Sequence, residues 1–195
     1  MTTMLGVDAW TFVKTLAGCA EAPVTFQTFD DDAKRKDRSL ARVLHGSIID
    51  REVELAALNE RGAGVFITVN ATDLQGRREE NVTGLRALFV DADGVELPTA
   101  WPLEPSIVVE SRRGRHAYWL LRPGEPLELF GPAQAQLAVA LGTDPKVKDL
   151  PRVMRLPGTL HRKGEPFKVR LLFAEPENVY AVWEVTRAFP LPRAE

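Results

Sequence analysis

The stretch Arg86–Gly94 constrains the fold and the chemistry of this chain more than any other. Four apolar residues run directly into Asp91, Ala92 and Asp93, and a glycine follows. A short apolar run bounded by Asp and Gly predicts a buried strand. Side chains two residues apart on a strand point the same way, so Asp91 and Asp93 should share one face at the strand end.

Two interpretations of this carboxylate pair are open at this point. Neighbouring carboxylates repel each other unless a cation lies between them, and hard oxygen ligands suit Mg²⁺ or Mn²⁺. A strand that simply enters an Asp-Gly turn would show the same residues, because Asp and Gly are common turn residues. The choice between a metal site and a turn depends on residues further along the chain.

Composition limits the classes of function. The 195 residues suffice for one large or two small domains, and 45% of them are hydrophobic, as in ordinary globular proteins. A net charge of −2 means that nucleic-acid binding would need a local basic patch. Cys19 is the only cysteine, which excludes an internal disulfide and a multi-cysteine zinc site. The N-terminus lacks the features of a signal peptide and no apolar run is long enough to span a membrane, so we expect a cytoplasmic protein.

Helix and strand patterns are mixed along the chain and predict an α+β fold. Apolar residues at helical spacing predict helices at residues 9–17, 51–61, 127–141 and 179–188. Short apolar runs predict strands at residues 24–29, 65–70, 106–110, 116–121 and 167–173, besides the strand that carries Asp91. Several of these strands look like hairpin partners, which favours an antiparallel or mixed sheet flanked by helices.

Two charged stretches have more than one interpretation. The mixed-sign cluster Asp30–Arg38 is typical of a solvated loop, with a phosphate-contacting loop as the minority alternative. Arg77 and Arg78 lie in the polar stretch Ala71–Asn81, where they could contact nucleotide phosphate or template backbone, or belong to a mobile hairpin loop. A lone pair of arginines does not distinguish these alternatives.

Two features downstream favour the metal interpretation of the carboxylate pair. His116 begins a strand directly after a Gly-Arg hairpin tip, and the segment Asp149–Lys163 is dense in Arg, Lys, Pro and Gly. A triphosphate substrate needs this mixture, because metal ions bridge carboxylates to phosphate oxygens and Arg, Lys or His neutralises the remaining charge.

Three segments, in this order, resemble motifs I, II and III of the archaeo-eukaryotic primase (AEP) superfamily. They are Phe89–Gly94 (FVDADG), Ser111–Trp119 (SRRGRHAYW) and Asp149–Thr159 (DLPRVMRLPGT). The match is to RepB-type primases and primase-polymerases (PrimPol) of plasmids, phages and other mobile elements. There are two departures: Gly114 stands at the first position of the compact Ser-x-His of motif II, which leaves the role of Ser111 open, and His161 lies where relatives often carry Asn.

The resemblance implies a single primase-polymerase catalytic domain over residues 1–195. Residues 1–80 would form an N-terminal α/β part and residues 81–195 an RRM-like palm. It also implies a DNA-replication nucleotidyltransferase that makes or extends primers on single-stranded DNA from dNTP or NTP by two-metal phosphoryl transfer. A helicase would be a partner in a separate chain or a missing domain, and the chain is expected to be the catalytic core alone.

The resemblance assigns roles to individual residues by motif position. The catalytic carboxylates that hold two divalent ions, Mg²⁺ or Mn²⁺, would be Asp91, Asp93 and Asp149, with Asp144 as the alternative third ligand. The nucleotide would contact His116, Arg155, Lys163, Arg115 and Thr159. The DNA would contact Arg77, Arg78, Arg113 and Arg152.

Two other functions compete with primer synthesis. A metal-dependent nucleotide-sugar transferase also binds a metal–diphosphate through Asp-x-Asp, but the basic stretch Arg152–Lys163 and the Gly-Arg hairpin favour polymerisation. A non-catalytic initiator module that binds single-stranded DNA could share the fold without the chemistry, but the intact carboxylates at positions 91, 93 and 149 argue against it.

Overall fold

Two large β-sheets and four α-helices form the computed structural model, which describes residues 3–192. The strands of the first sheet are β1 (Val24–Asp30), β2 (Arg42–Gly46), β3 (Ala63–Thr68) and β9 (Val153–Arg155). Their order is β2-β1-β3-β9, and every pairing is antiparallel. A strand from the C-terminal half of the chain therefore completes a sheet that is otherwise built by the N-terminal part.

The second sheet holds the strand with the carboxylate pair. Its strands are β6 (Ala87–Asp93), β7 (Ile107–Glu110), β8 (Gly114–Leu121), β12 (Arg170–Ala174) and β13 (Val179–Tyr180). The central strand β8 pairs antiparallel with β6 on one side and β7 on the other, whereas its short pairing with β13 is parallel. Two small hairpins complete the strands: β4 (Ala71–Thr72) with β5 (Val82–Gly84), and β10 (Leu160–His161) with β11 (Phe167–Lys168).

The helices are α1 (Val7–Ala17), α2 (Ile48–Glu60), α3 (Phe130–Ala140) and α4 (Val182–Ala188). Short 3₁₀ turns occur at Arg38–Leu40, Glu79–Asn81 and Leu127–Leu129. Within residues 3–192, none of the helices combines the length and apolar character needed to span a membrane.

The α+β prediction is confirmed, and the differences in detail have local causes. The helix predicted at 179–188 begins at Val182 because a short strand precedes it, and the strand predicted at 167–173 is divided between β11 and β12. Strands β2, β4, β5, β9, β10 and β13 were not predicted. Each is five residues or shorter, so the sequence has too little periodicity to reveal them, and their pairing partners lie elsewhere in the chain.

Helix α2 begins three residues earlier than predicted because Ser47 is its N-cap. The Ser47 side chain accepts the N–H of Asp50, and the Asp50 carboxylate accepts the N–H of Ser47 in return. This reciprocal capping box satisfies two otherwise unpaired donors at the helix start.

One hydrophobic core extends beneath both sheets. Phe12 of α1 packs edge-on against Tyr118 of β8, with ring centroids 5.4 Å apart. Tyr118 also contacts Phe89 of β6 at 5.9 Å, and Phe89 contacts Phe130 of α3 at 6.1 Å. All four rings are fully buried. This aromatic chain fixes β6, and with it the carboxylate pair, against helices from both ends of the sequence.

The free edge of β6 is completed by a side chain. Gln134 of α3 is fully buried; its Oε1 accepts the N–H of Phe89 at 3.2 Å, and its Nε2 donates to the carbonyl of the same residue. The amide thus replaces the pairing that a neighbouring strand would supply to an edge strand. Phe89 lies two residues before Asp91, so this contact holds the strand where the carboxylates emerge.

We predict that Gln134→Ala destabilises the fold by about 2–4 kcal/mol, because it leaves a buried N–H and a buried C=O without partners. Urea unfolding followed by circular dichroism measures this change. Gln136→Ala on the same helix is the comparison, since Gln136 is only partly buried and bonds to carbonyls near the end of α4. An equal loss in both variants would contradict the edge role of Gln134.

Candidate active site

Asp91 and His116 face each other across the β6–β8 pairing. The antiparallel register places these residues directly opposite, and the Asp91 Oδ1 atom lies 3.5 Å from Nε2 of His116. Asp93, two residues along β6, points to the same side, as its strand position predicted. The antiparallel pairing of β6 with β8 therefore brings motif I and motif II together.

A cleft of about 170 Å³ lies over this pair of strands and reaches across to the first sheet. Its wall has three chemically different parts. The carboxylates are Asp91 and Asp93; the polar and basic side chains are Ser111, Arg113, His116, Arg155, His161 and Lys163; and the apolar side chains are Phe66, Val153 and Met154. His116 and Arg113 thus lie next to the carboxylates, whereas Arg155 and His161 come from β9 and β10.

The carboxylate pair is suited to a cation. Burial, and then the negative charge of Asp93, raise the pKa of Asp91 to about 6, while Arg152 and Arg155 act in the opposite direction. The Oδ1 atom of Asp91 is buried and accepts no hydrogen bond from the described residues. A divalent ion would stabilise such a pair, because it would offset the repulsion between the two carboxylates and coordinate the buried, unpaired oxygen. Within residues 3–192, no group of three His, Cys, Asp or Glu side chains is arranged to hold a metal ion, so the donors present are this pair.

His116 is a neutral imidazole in this structure. Its burial, and then the nearby charge of Arg155, lower the pKa of His116 to about 4. Its Nδ1 atom lies 3.5 Å from the hydroxyl of Tyr118. A neutral ring of this kind offers one N–H donor to the cleft without adding a charge that would compete for the carboxylates.

Arg155 is held by a carboxylate that lies far away in the sequence. Its NH1 and NH2 groups donate to Asp31 at 3.1 and 2.8 Å, and both side chains are buried. The same carboxylate accepts the backbone N–H of Arg162 at 2.8 Å, which fixes the far end of the turn after β9. The guanidinium also lies 4.6 Å from the centre of the Phe66 ring. Two independent contacts therefore orient the same side chain.

Gly64 makes room for this ion pair. A Cβ atom at this position of β3 would collide with the carboxylate of Asp31 and with the guanidinium of Arg155. The close approach of both side chains to the backbone, and not an unusual backbone conformation, is what requires glycine here.

His161 lines the cleft with unsatisfied polar atoms. Its ring is buried, and neither ring nitrogen has a hydrogen-bond partner among the described residues. Burial, and then the charge of Arg155, lower the pKa of His161 to about 4. The motif resemblance marked this position only as a departure from the usual Asn, whereas the structure places its ring nitrogens where a polar ligand could satisfy them.

The structure brings half of the predicted site residues together, namely Asp91, Asp93, Arg113, His116, Arg155 and Lys163. Lys163 is exposed, and Arg113 lies 3.6 Å from Asp93 at the rim. Ser111, whose role the sequence left open, is buried in the wall, and its backbone N–H donates to the carbonyl of Gly114.

The third predicted metal ligand lies outside the cleft. Asp149 is exposed, pairs with Arg152 and lines a separate hollow beside Lys146 and Lys148. Its alternative, Asp144, is also exposed, although its negative charge contributes to the raised pKa of Asp91. Neither carboxylate is among the cleft residues.

Four further predicted residues lie away from the cleft. Arg115 lies on the face of β8 opposite to His116 and lines a separate hollow with Leu97. The hydroxyl of Thr159 donates to the carbonyl of Leu156 inside a turn. Arg77 bonds to Gln27 Oε1 at 2.9 Å and to the Pro151 carbonyl at 3.1 Å, whereas Arg78 is exposed beside Glu80.

Asp31 is the functional-site residue that the sequence interpretation missed. It lies in the cluster predicted to be a solvated loop, yet it is only 2% exposed. A usable signal was present: Asp31 directly follows strand β1, just as Asp91 and Asp93 lie at the end of strand β6. The neighbouring charges of both signs, which are typical of a solvated loop, outweighed this signal in the prediction.

Comparison with known proteins identifies the family. A family model described as the RepB DNA-primase N-terminal domain matches residues 70–190, which is more than half of the chain. The chain belongs to this RepB DNA-primase family. A replication protein of Clostridium perfringens is 28% identical over 156 residues, which cover 70% of this chain and 38% of that protein. The primase domain thus spans well under half the length of that relative.

Solved structures confirm the AEP fold of this primase domain. The AEP domain of the cyanophage S-2L primase-polymerase superposes with a TM-score of 0.74 at 21% identity, covering 95% of this chain and 98% of that one. The primase RepB' gives a TM-score of 0.67 at 20% identity, covering 95% and 62% of the two chains. The catalytic domain of RepB' in complex with initiator DNA gives 0.66 at 21% identity, covering 95% and 93%.

We predict that Asp31→Ala lowers the free energy of unfolding by about 3–5 kcal/mol, because it leaves the Arg155 guanidinium buried without its partner. Urea unfolding at neutral pH is the measurement. Asp32→Ala is the control, since the neighbouring Asp32 is exposed and should cause a much smaller change. An equal loss of stability in Asp31→Ala and Asp32→Ala would show that the ion pair with Arg155 does not stabilise the fold more than an exposed carboxylate does.

The raised pKa of Asp91 predicts a pH-dependent penalty in metal-free protein. Because the folded state binds this proton more tightly than the unfolded state, the ionised carboxylate destabilises the fold fully above pH about 6. The penalty disappears as the pH falls towards the ordinary value of 3.8. Asp91→Asn should therefore be more stable than the wild type by about 1 kcal/mol at pH 7.5, after allowance for solvent screening, and equal to it near pH 4.

Urea titrations in a chelating buffer across this pH range would measure the difference. Glu21→Gln, which changes an exposed carboxylate, should show no such trend. If the stability difference between Asp91→Asn and wild type does not vary with pH, the ionised Asp91 carboxylate does not destabilise the fold as predicted.

Proposed function

We propose that this domain is a template-directed nucleotidyltransferase that makes or extends primers on single-stranded DNA. The observation that carries the proposal is the paired carboxylates of β6 facing donors from β8, β9 and β10 across one cleft. Family membership and the AEP fold support a DNA primase. The crystal of a RepB' catalytic domain with initiator DNA supports DNA as the partner of this chain as well.

Asp91 and Asp93 would hold Mg²⁺ or Mn²⁺, in keeping with the unpaired oxygen of Asp91. Bound there, divalent ions would lower the pKa of an attacking hydroxyl and neutralise phosphate charge. The motif resemblance implies Asp149 as a third ligand, and this assignment stays a prediction because Asp149 pairs with Arg152 outside the cleft.

The nitrogen donors of the cleft would bind the triphosphate of a dNTP or NTP. His116 and His161, both neutral, would donate N–H groups to phosphate oxygens, and the exposed Lys163 would approach the tail from the rim. Arg155 is already paired with Asp31, so its contribution is to present its remaining N–H atoms in a fixed orientation. In the reaction, the attacking hydroxyl gives up its proton to water as its oxygen bonds to the α-phosphorus, and pyrophosphate leaves with the electrons of the broken P–O bond.

Apolar and basic side chains around the cleft would shape its other contacts. Phe66, Val153 and Met154 form the wall that excludes water on the side of the first sheet. Arg113 at the hairpin tip is the predicted DNA contact that lies nearest the carboxylates, 3.6 Å from Asp93. A helicase, if the system uses one, would act from another chain or domain.

We predict that Asp91→Asn reduces primer synthesis at least about 100-fold. Metal assistance contributes several kcal/mol, and each tenfold change in rate corresponds to about 1.4 kcal/mol. The assay supplies single-stranded template, Mg²⁺ or Mn²⁺, and dNTPs or NTPs in turn, and resolves products on denaturing gels. Calorimetric titration with Mn²⁺ gives a second measurement, in which the variant should lose most of the heat of binding.

Two comparisons sharpen this test. Glu110→Gln changes a carboxylate at the end of β7 that pairs with Arg170, so synthesis should continue. Asp149→Asn should lose synthesis as completely as Asp91→Asn if Asp149 is the third ligand; activity within about tenfold of wild type would reflect only the loss of its pairing with Arg152. Full synthesis by Asp91→Asn would refute the proposed function.

A further inference from the structure

The first sheet has one face in the core and one that is partly open. Phe26, Val65 and Ile67 point into the core and are fully buried. Gln27 alternates with Phe26 along β1 and pairs with both Val43 and Phe66. Gln27, Val43 and Phe66 therefore lie on the face opposite the core. Phe29, two residues after Gln27, lies on that face too.

This open face carries apolar side chains that the fold leaves uncovered. Phe29 is 39% exposed and Val43 is 44% exposed, and Phe66 is half-buried beside them. The rings of Phe29 and Phe66 meet edge to face, with centroids 5.6 Å apart and an angle of 69°. We call Phe29, Val43 and Phe66 the aromatic patch.

The aromatic patch is rigid. Its residues lie on three hydrogen-bonded strands, and the Arg155 guanidinium supports the Phe66 ring from the cleft side at 4.6 Å. The turn after Phe29 is held by Asp30, which accepts hydrogen bonds from the side chain of Arg35 and from the backbone N–H groups of Asp32 and Asp37. A ligand that stacks here would not have to order a flexible surface first.

The aromatic patch is continuous with the cleft and has basic residues at its border. Phe66 belongs to both, since it lines the cleft between the sheets. Arg77 lies across the same face, bonded to Gln27 and to the Pro151 carbonyl, and Arg155, which pairs with Phe66 in the β3–β9 ladder, lies against the Phe66 ring. An extended polyanion leaving the cleft on this side would meet stacking surfaces and cations together.

We propose that the aromatic patch is a stacking platform for bases of single-stranded DNA next to the catalytic cleft. The inference rests on the proposed function and adds a binding surface to it. Aromatic rings on a rigid sheet, flanked by arginines, bind single strands without sequence preference because every base offers a π-face. Phe29 supplies the exposed ring, Phe66 joins the platform to the cleft, and Arg77 lies on the same face to contact the sugar-phosphate backbone.

The test measures binding of a fluorescein-labelled oligothymidylate by anisotropy, without nucleotide, in low salt. Phe29→Leu keeps the apolar volume and removes the ring, whereas Phe29→Tyr keeps the ring. We expect Phe29→Leu to bind at least about fivefold more weakly than wild type and Phe29→Tyr to bind within about twofold. Phe173→Leu is the matched control, because Phe173 is 43% exposed on β12 of the other sheet, and its affinity should not change.

An oligonucleotide of abasic sites separates stacking from charge attraction. Wild type and Phe29→Leu should bind this backbone equally, because it has no base to stack. Wild-type affinity of Phe29→Leu for oligothymidylate, or an equal loss on both oligonucleotides, would overturn the proposal, as would a failure of wild type to bind single-stranded DNA. Unfolding curves of each variant confirm that the fold is intact.

The proposed function can fail independently. If wild type makes no primers under any condition but its DNA binding still depends on the ring of Phe29, the platform stands and the catalytic assignment falls. If synthesis proceeds and Phe29→Leu affects neither DNA binding nor the apparent template affinity, the platform is refuted and the nucleotidyltransferase remains.

Discussion

The buried ion pair between Asp31 and Arg155 is the contact on which the architecture of the cleft depends. It joins the residue after β1 to the end of β9, two segments 124 residues apart. Desolvating two charges is costly, and it is tolerated here because the carboxylate binds both guanidinium N–H groups and the backbone N–H of Arg162. The glycine at position 64 leaves the space, and the Phe66 ring covers the guanidinium. One wall of the cleft is thereby set before any ligand arrives.

Other groups of the cleft show the converse arrangement, in which polar atoms are left without partners. Asp91 keeps a buried oxygen unpaired and a raised pKa, and His161 keeps both ring nitrogens unpaired within the described part of the chain. Unsatisfied polar atoms cost stability, so their presence on both sides of one cleft indicates a site organised for ligands and not for the free fold. The neutrality of His116 follows from the same burial and leaves the positive charge of the cleft to Arg and Lys.

Much of the fold and half of the site could be predicted from local patterns. The strand with Asp91, the hairpin that presents His116 and all four helices are visible because periodicity and turn residues act over a few positions. Strands β2, β9 and β10 could not be predicted, since strands of two to five residues carry too little periodicity, and β9 pairs with β3, which lies far earlier in the chain. A distant partner also explains why the burial of Asp31 was not predicted, since Asp31 is buried against an arginine more than a hundred residues later.

The sequence by itself determined the chemistry: two carboxylates on one strand face, a histidine at the start of a later strand and a basic motif downstream, in an order that resembles known primases. Only the tertiary structure decided which residues meet. It placed Asp31 and His161 in the site, left Asp149, Arg115 and Thr159 outside the cleft, and exposed an aromatic patch beside it. The physical reason is that residue type and spacing report local conformation, whereas burial and ion pairing arise when distant strands are brought side by side.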